Sequence, residues 1–157
     1  MNLSLMHGRC LHRAALCACL AVAFALAGCG RKGGLDAPPG ASLANPGRPV
    51  VCYSGDGSAM YSIQSLWTAA HHGLPITFVL LNNGGYRIIK QRLRAFHGTN
   101  HFIGMDFDKP SVDFTAIARG LGLEAFRIDA AEGLACLSSA FRRPGPKLIE
   151  VMVDQTV

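Results

Sequence analysis

The chain has 157 residues, enough for one domain of ordinary size, and half of them are hydrophobic, enough for a real core. A formal charge of +5 suggests an anionic partner, but the excess lies in residues 1–50, where Arg9, Arg13, Arg31, Lys32 and Arg48 face Asp36 alone. The remaining residues carry ten basic and nine acidic side chains and no clustered basic–aromatic patch, which argues against a nucleic-acid binder.

The first element is a leader. Arg9, His12 and Arg13 form a basic start, and residues 14–26 ("AALCACLAVAFAL") form an apolar run of signal-peptide length. A permanent bilayer span needs about 20 apolar residues, so the run is short for one. It ends in Leu26-Ala27-Gly28-Cys29, which resembles a bacterial lipobox with Cys29 as the lipidated residue, and "CGRKGGLDAPPG" resembles the start of a small outer-membrane lipoprotein. Residues 1–29 are thus expected to be a lipoprotein-like signal segment that anchors the chain to a membrane. Cys10, Cys17, Cys19 and Cys29 belong to this part, leaving Cys52 and Cys136 beyond it. With no CxxC pair, neither a zinc ribbon nor a thioredoxin-type site is supported, and Cys52, inside a β-rich run, is expected to be a buried free thiol.

Residues 30–47, rich in Gly, Pro and small side chains, are expected to be linker and junction. A domain is expected over residues 48–157. It starts with a strand in "PVVCYS" that ends in the turn Gly55-Asp56-Gly57. Met60, Ile63, Leu66, Trp67 and Ala70 recur at helical spacing, predicting an amphipathic helix over residues 59–71 that stops at Gly73 and Pro75. "ITFVLLN" is a continuous apolar run, as in a parallel strand buried on both faces. After Asn82-Asn83-Gly84-Gly85, residues 86–94 suit a helix with Ile88, Ile89 and Leu93 inward and Arg87, Lys90, Arg92 and Arg94 in solvent. Residues 95–112 lack periodicity and are expected to be a long loop. Asp113 is placed to cap a helix over "DFTAIARGLG". "LEAFRI" follows as a strand, residues 132–143 as a helix and "KLIEVMV" as the last strand. The alternation predicts an α/β fold, a parallel sheet flanked by helices.

This order places Asp56 and Asn83 at the carboxyl ends of neighbouring parallel strands, where open α/β sheets bind ligands. A carboxylate, an amide oxygen and nearby backbone carbonyls are hard donors suited to Mg²⁺, which completes its octahedron with water and phosphate oxygens. Gly55 and Gly57 allow close backbone approach to a diphosphate, and the helix opening at Gly57 and Ser58 offers unpaired N–H groups.

"GDGSAMYSIQSLWTAAHHGLPITFVLLNNGGY" resembles the thiamine diphosphate motif, a GDG followed at a set distance by NN, and is most similar to the carboxy-terminal cofactor domain of benzoylformate decarboxylase and acetolactate synthase-like enzymes. The similarity runs from about Gly40 to Val157, through "LANPGRPVV", "VDFTAIARGLG" and "GPKLIEV". The resemblance implies the thiamine diphosphate-binding fold, lacking its N-terminal side, with Mg²⁺ held by Asp56, Asn83 and the Gly85 carbonyl. It implies a cofactor site of Gly55, Asp56, Gly57, Ser58, Tyr61, Asn83, Gly85 and Tyr86. In such enzymes a glutamate from a separate pyrimidine-binding domain, usually of a partner subunit in a homo-oligomer, activates the cofactor, and the family's members are cytoplasmic. No equivalent of that glutamate is expected here, so no catalytic residue is assigned and the chain is expected to be inactive alone. The alternative is an exported lipoprotein carrying a non-catalytic α/β binding module. His71-His72 suits a helix C-terminus, and Gly98 between His97 and His101 argues against the helix that would let them share a metal.

Overall fold

Strands β1 (Val50–Gly55), β2 (Ile76–Asn82), β3 (Glu124–Ile128) and β4 (Lys147–Met152) form one parallel sheet in the order β1-β2-β4-β3. They belong to a computed structural model in which residue 35 and residues 37–156 are described. The expected leader, residues 1–29 with Cys29, lies outside the described residues. The remaining elements are α1 (Ala37–Ala44), α2 (Asp56–Ala59), α3 (Ser65–His71), α4 (Arg87–His97), α5 (Phe114–Gly120), a 3₁₀ turn (Ala131–Cys136) and α6 (Leu137–Ala140). The parallel sheet flanked by helices is the predicted architecture.

The apolar run of β2 lies centrally, paired with β1 on one side and β4 on the other. Both of its faces are buried, each under its own core cluster. Phe78 and Leu80 are fully buried in one core cluster with Cys52, Leu66, Ala69, Phe114 and Leu148, while Val79 packs with Ile149, Val151, Ile128 and Ala140 on the opposite face. Burying a phenylalanine of this kind contributes about 2–3 kcal/mol relative to leaving it in water. Cys52 is buried as predicted, which pushes its thiol up to about 11, and Cys136 is exposed and free. The register aligns Gly55 of β1 with Leu81 of β2 and Asn82 with Met152 of β4. Three strands therefore end together at one edge of the fold, and the loops after β1 and β2 leave it side by side.

Four local expectations need correction. The Gly/Pro-rich segment at 37–44 is not linker but helix α1, with Pro38, Pro39 and Ser42 buried. Both prolines lie in its first turn, where the missing N–H has no intrahelical partner to lose. Leu35, just before it, is buried in the core. The single helix expected over residues 59–71 starts earlier, at Asp56, and is interrupted between α2 and α3. Across that break the bonds tighten to i→i−3, as in Ser62 N–H to Ala59 O at 3.1 Å and Ser65 N–H to Ser62 O at 3.0 Å. The inward face is consequently rotated: Ala59, Ser62, Leu66 and Ala69 are buried, whereas Met60 and Trp67 are exposed and Trp67 stacks on His71 at 4.8 Å.

Helix α4 extends past residue 94 to His97 and ends on Gly98 in the left-handed conformation, φ +63°. Its polarity is inverted relative to expectation. Lys90 is the buried residue, paired with Asp106 and set over the Phe102 ring, while Ile88 and Ile89 are exposed. Ile88 and Ile89 instead line the cavity described below. The helix expected over residues 132–143 is the 3₁₀ turn followed by the short α6.

Candidate functional site

Asp56 follows directly on Gly55, the last residue of β1, and is 1% exposed. Its Oδ1 accepts the Gly57 N–H at 2.9 Å, and its Oδ2 accepts the Gly85 N–H from the neighbouring loop, also at 2.9 Å. Each carboxylate oxygen thus spends one lone pair on backbone and keeps another.

The two asparagines divide the work of the second loop. Asn82 is structural: its Oδ1 accepts the Gly84 N–H at 2.9 Å, and its Nδ2 donates to the buried Glu150 at 2.6 Å. Asn83 Oδ1, by contrast, is buried with no hydrogen-bond partner. A buried acceptor left without a donor costs roughly 1–3 kcal/mol, a cost that a water, a cation or a bound group would offset. The loop around residues 105–107 holds the segment from outside, with Tyr86 N–H to Met105 O at 2.9 Å and Phe107 N–H to Gly84 O at 2.8 Å. A Cβ on Gly85 would lie 2.2 Å from Met105 O, so only glycine permits that approach.

Gly55, Asp56, Gly57, Ser58, Tyr61, Asn83, Gly85 and Tyr86 all line one cavity of about 290 Å³. Sequence motifs separated by a whole helix and strand are therefore brought together in space. Arg87, Ile88 and Ile89 from the start of α4 complete the lining. Tyr61 and Tyr86 stand with ring centroids 6.1 Å apart, and Tyr86 packs edge-on against Phe107 at 4.9 Å. Burial, reinforced by Tyr61 and by the charge of Asp56, holds the Tyr86 phenol above its ordinary range.

Two further residues bear on the geometry of the site. Arg87 was expected in solvent, yet it lines the cavity, and its position directly after the loop at the first turn of α4 is the signal that could have found it. Glu150 looked like an ordinary strand residue. It is fully buried, accepting from Asn82 and, at 2.8 Å, from Arg127 Nε, and so fixes the first asparagine of the loop. Among the described residues no group of three or more His, Cys, Asp and Glu gathers as a metal site. The donors available here are instead one carboxylate, one amide and backbone carbonyls, the hard oxygen set that suits Mg²⁺ rather than zinc.

Residues 11–151 match the family model of the thiamine pyrophosphate enzyme C-terminal TPP binding domain, which reaches further toward the N-terminus than the motif resemblance from Gly40. Benzoylformate decarboxylase of Pseudomonas aeruginosa is 43% identical over 120 residues, covering 75% of this chain and 22% of that protein. Acetolactate synthase isozyme 1 large subunit of Escherichia coli is 40% identical over 122 residues, covering 77% of this chain and 21% of its own length. The structure of Rhodococcus jostii 4-hydroxybenzoylformate decarboxylase, a thiamine diphosphate-dependent enzyme, superposes with a TM-score of 0.71 at 35% identity, over 78% of this chain and 23% of that one. The chain thus spans about a fifth to a quarter of the length of the relatives it matches. It belongs to the thiamine pyrophosphate enzyme family and corresponds to that family's C-terminal cofactor-binding domain.

Proposed function

We propose that the chain binds thiamine diphosphate through Mg²⁺ in the cavity between the two loops, as part of a 2-keto acid decarboxylase or acetolactate synthase-like enzyme. The observation that carries this reading is the buried, unpartnered Asn83 Oδ1, on a residue that lines the same cavity as the buried Asp56. Asp56 supplies the charge, Asn83 a neutral oxygen, and the Gly85 carbonyl a third donor. That carbonyl accepts the Arg87 N–H at 3.0 Å and retains its second lone pair. The backbone at Gly55, Gly57 and Ser58 takes the diphosphate, and Tyr61 and Tyr86 pack beside the cofactor. Bound thiamine diphosphate supplies the electron sink for chemistry at a 2-keto carbon.

What these residues do is bind and orient. Asp56 is the one carboxylate lining the cavity among the described residues, and it is committed to the metal and two backbone N–H groups. The proton relay falls to a pyrimidine-binding domain or subunit within a homo-oligomer, and the chain alone does not turn over 2-keto acids. Titration of the purified chain with thiamine diphosphate, with Mg²⁺ and then with excess chelator, tests the binding. Saturable binding lost on chelation is expected, and binding indifferent to Mg²⁺ contradicts the metal assignment. Turnover of pyruvate or benzoylformate above free cofactor in buffer contradicts the division of labour.

A further inference from the structure

We infer that Arg87 is a ligand-recognition residue of this cavity, presenting the Nε edge of its guanidinium to an oxyanion of the bound molecule; this rests on the cofactor reading above and extends it to a residue outside the metal set. Arg87 Nε is buried and has no hydrogen-bond partner. The group is nevertheless held in place, because Nη1 donates to the Asp154 carbonyl at 3.1 Å. Anchoring through Nη1 leaves the Nε side of the planar fork, the edge that pairs side-on with carboxylate or phosphate oxygens, turned away from the anchor.

Its setting favours an anion. Arg87 opens the 11-residue α4, whose first turn carries no acidic side chain, so the helix dipole places further positive potential there. A cation at that end is disfavoured by the helix itself; among the described residues Arg87 forms no salt bridge, and the exposed Asp154 carboxylate is a nearby negative charge that acts on it. Asp56, the cavity's carboxylate, is already bonded to two N–H groups. A buried donor, fixed by a backbone carbonyl and lacking an acceptor, is an arrangement that a ligand oxygen completes.

Two oxyanions could supply that oxygen, the diphosphate of the cofactor and the carboxylate of a 2-keto acid, and calorimetry separates them. The chain, Arg87→Gln and Arg87→Lys are titrated with Mg²⁺–pyrophosphate, and with benzoylformate in the presence of Mg²⁺ and thiamine diphosphate, after circular dichroism shows that each variant is folded. Arg87→Gln is expected to bind one of these anions about tenfold or more weakly, the scale of a charge-assisted hydrogen bond. Arg87→Lys should recover only part, since an ammonium lacks the planar fork. A loss on pyrophosphate assigns the edge to the diphosphate; a loss confined to benzoylformate assigns it to the substrate carboxylate. Unchanged affinity for both in folded Arg87→Gln, or no binding of either anion by the wild-type chain, overturns the inference. If Arg87→Gln weakens binding while Asp56→Asn does not, the oxyanion role stands and the metal reading fails.

Discussion

Asp56 Oδ2 accepts the Gly85 N–H at 2.9 Å, so one buried carboxylate fastens the loop after β1 to the loop after β2. The same side chain orders both halves of the cavity before any ligand arrives. Its other oxygen accepts the Gly57 N–H at the start of α2, and Gly85 is in turn pressed against the Met105 carbonyl. The site is preorganised by backbone hydrogen bonds, which leaves the side chain of Asn83 and the edge of Arg87 for the ligand.

The glycines of the two loops should separate ligand effects from folding effects. A Cβ on Gly55 would meet nothing within 4 Å, whereas on Gly85 it would lie 2.2 Å from a backbone carbonyl. Gly55→Ala is expected to keep the wild-type melting temperature but to weaken Mg²⁺–thiamine diphosphate binding, because its methyl group intrudes only on the ligand. Gly85→Ala is expected to lower the melting temperature by several degrees, since the outer loop must shift. Thermal denaturation with a parallel ligand titration checks both, and a destabilised Gly55→Ala would show that this glycine serves the fold.

The Glu150–Arg127 pair behind the site carries a stability prediction. Glu150 is fully buried between Asn82 and Arg127, and Arg127 also lies 3.5 Å from Asp113. Replacing Arg127 by Leu strands a buried charge, at a cost of about 3 kcal/mol, the low end for such a break because the guanidinium is partly exposed. Glu150→Gln should cost less, and the double variant Arg127→Leu/Glu150→Leu should fall well short of the summed single effects. Urea unfolding midpoints measure all three. Strict additivity would mean that the pair is not coupled.

How much of this was legible follows from what each signal depends on. The strands were readable because a parallel sheet covered on both faces needs continuous apolar runs, and "ITFVLLN" is one. That Asp56 and Asn83 come together was readable because the alternating β-α-β order sets the carboxyl ends of neighbouring parallel strands side by side. Residues 37–44 were misread because composition says loop, while two prolines in a first helical turn say helix. Lys90 and Arg87 were misread because periodicity treats every cation as solvated. The partners that decide otherwise, Asp106 and the Asp154 carbonyl, lie sixteen or more residues away in sequence. Long-range pairing of this kind leaves no local trace.

Asp113 gives a pH prediction. It caps α5, accepting from Ala116 N–H at 2.9 Å and from the Thr115 hydroxyl at 2.7 Å. Those bonds, with Arg127 nearby, hold its carboxyl below the usual carboxylate range. A folded value below the unfolded one, about 3.9, means that the charged cap stabilises fully above that pH and ceases to do so as the pH falls through the folded value. Asp113→Ala should therefore melt lower than the wild type at neutral pH, with the gap closing in acid. A gap that stays constant down to pH 2 would assign the effect to packing rather than charge.

The most direct measurement is calorimetric titration of Mg²⁺–thiamine diphosphate into the wild-type chain, Asp56→Asn and Asn83→Ala, each shown to be folded at the working temperature. Asp56→Asn keeps one acceptor for the backbone N–H groups while removing the charge on which the metal depends. Saturable, Mg²⁺-dependent binding is expected in the wild type, none detectable in Asp56→Asn, and a smaller loss of about tenfold in Asn83→Ala, where a neutral ligand disappears. Wild-type affinity retained in folded Asp56→Asn would contradict the metal assignment.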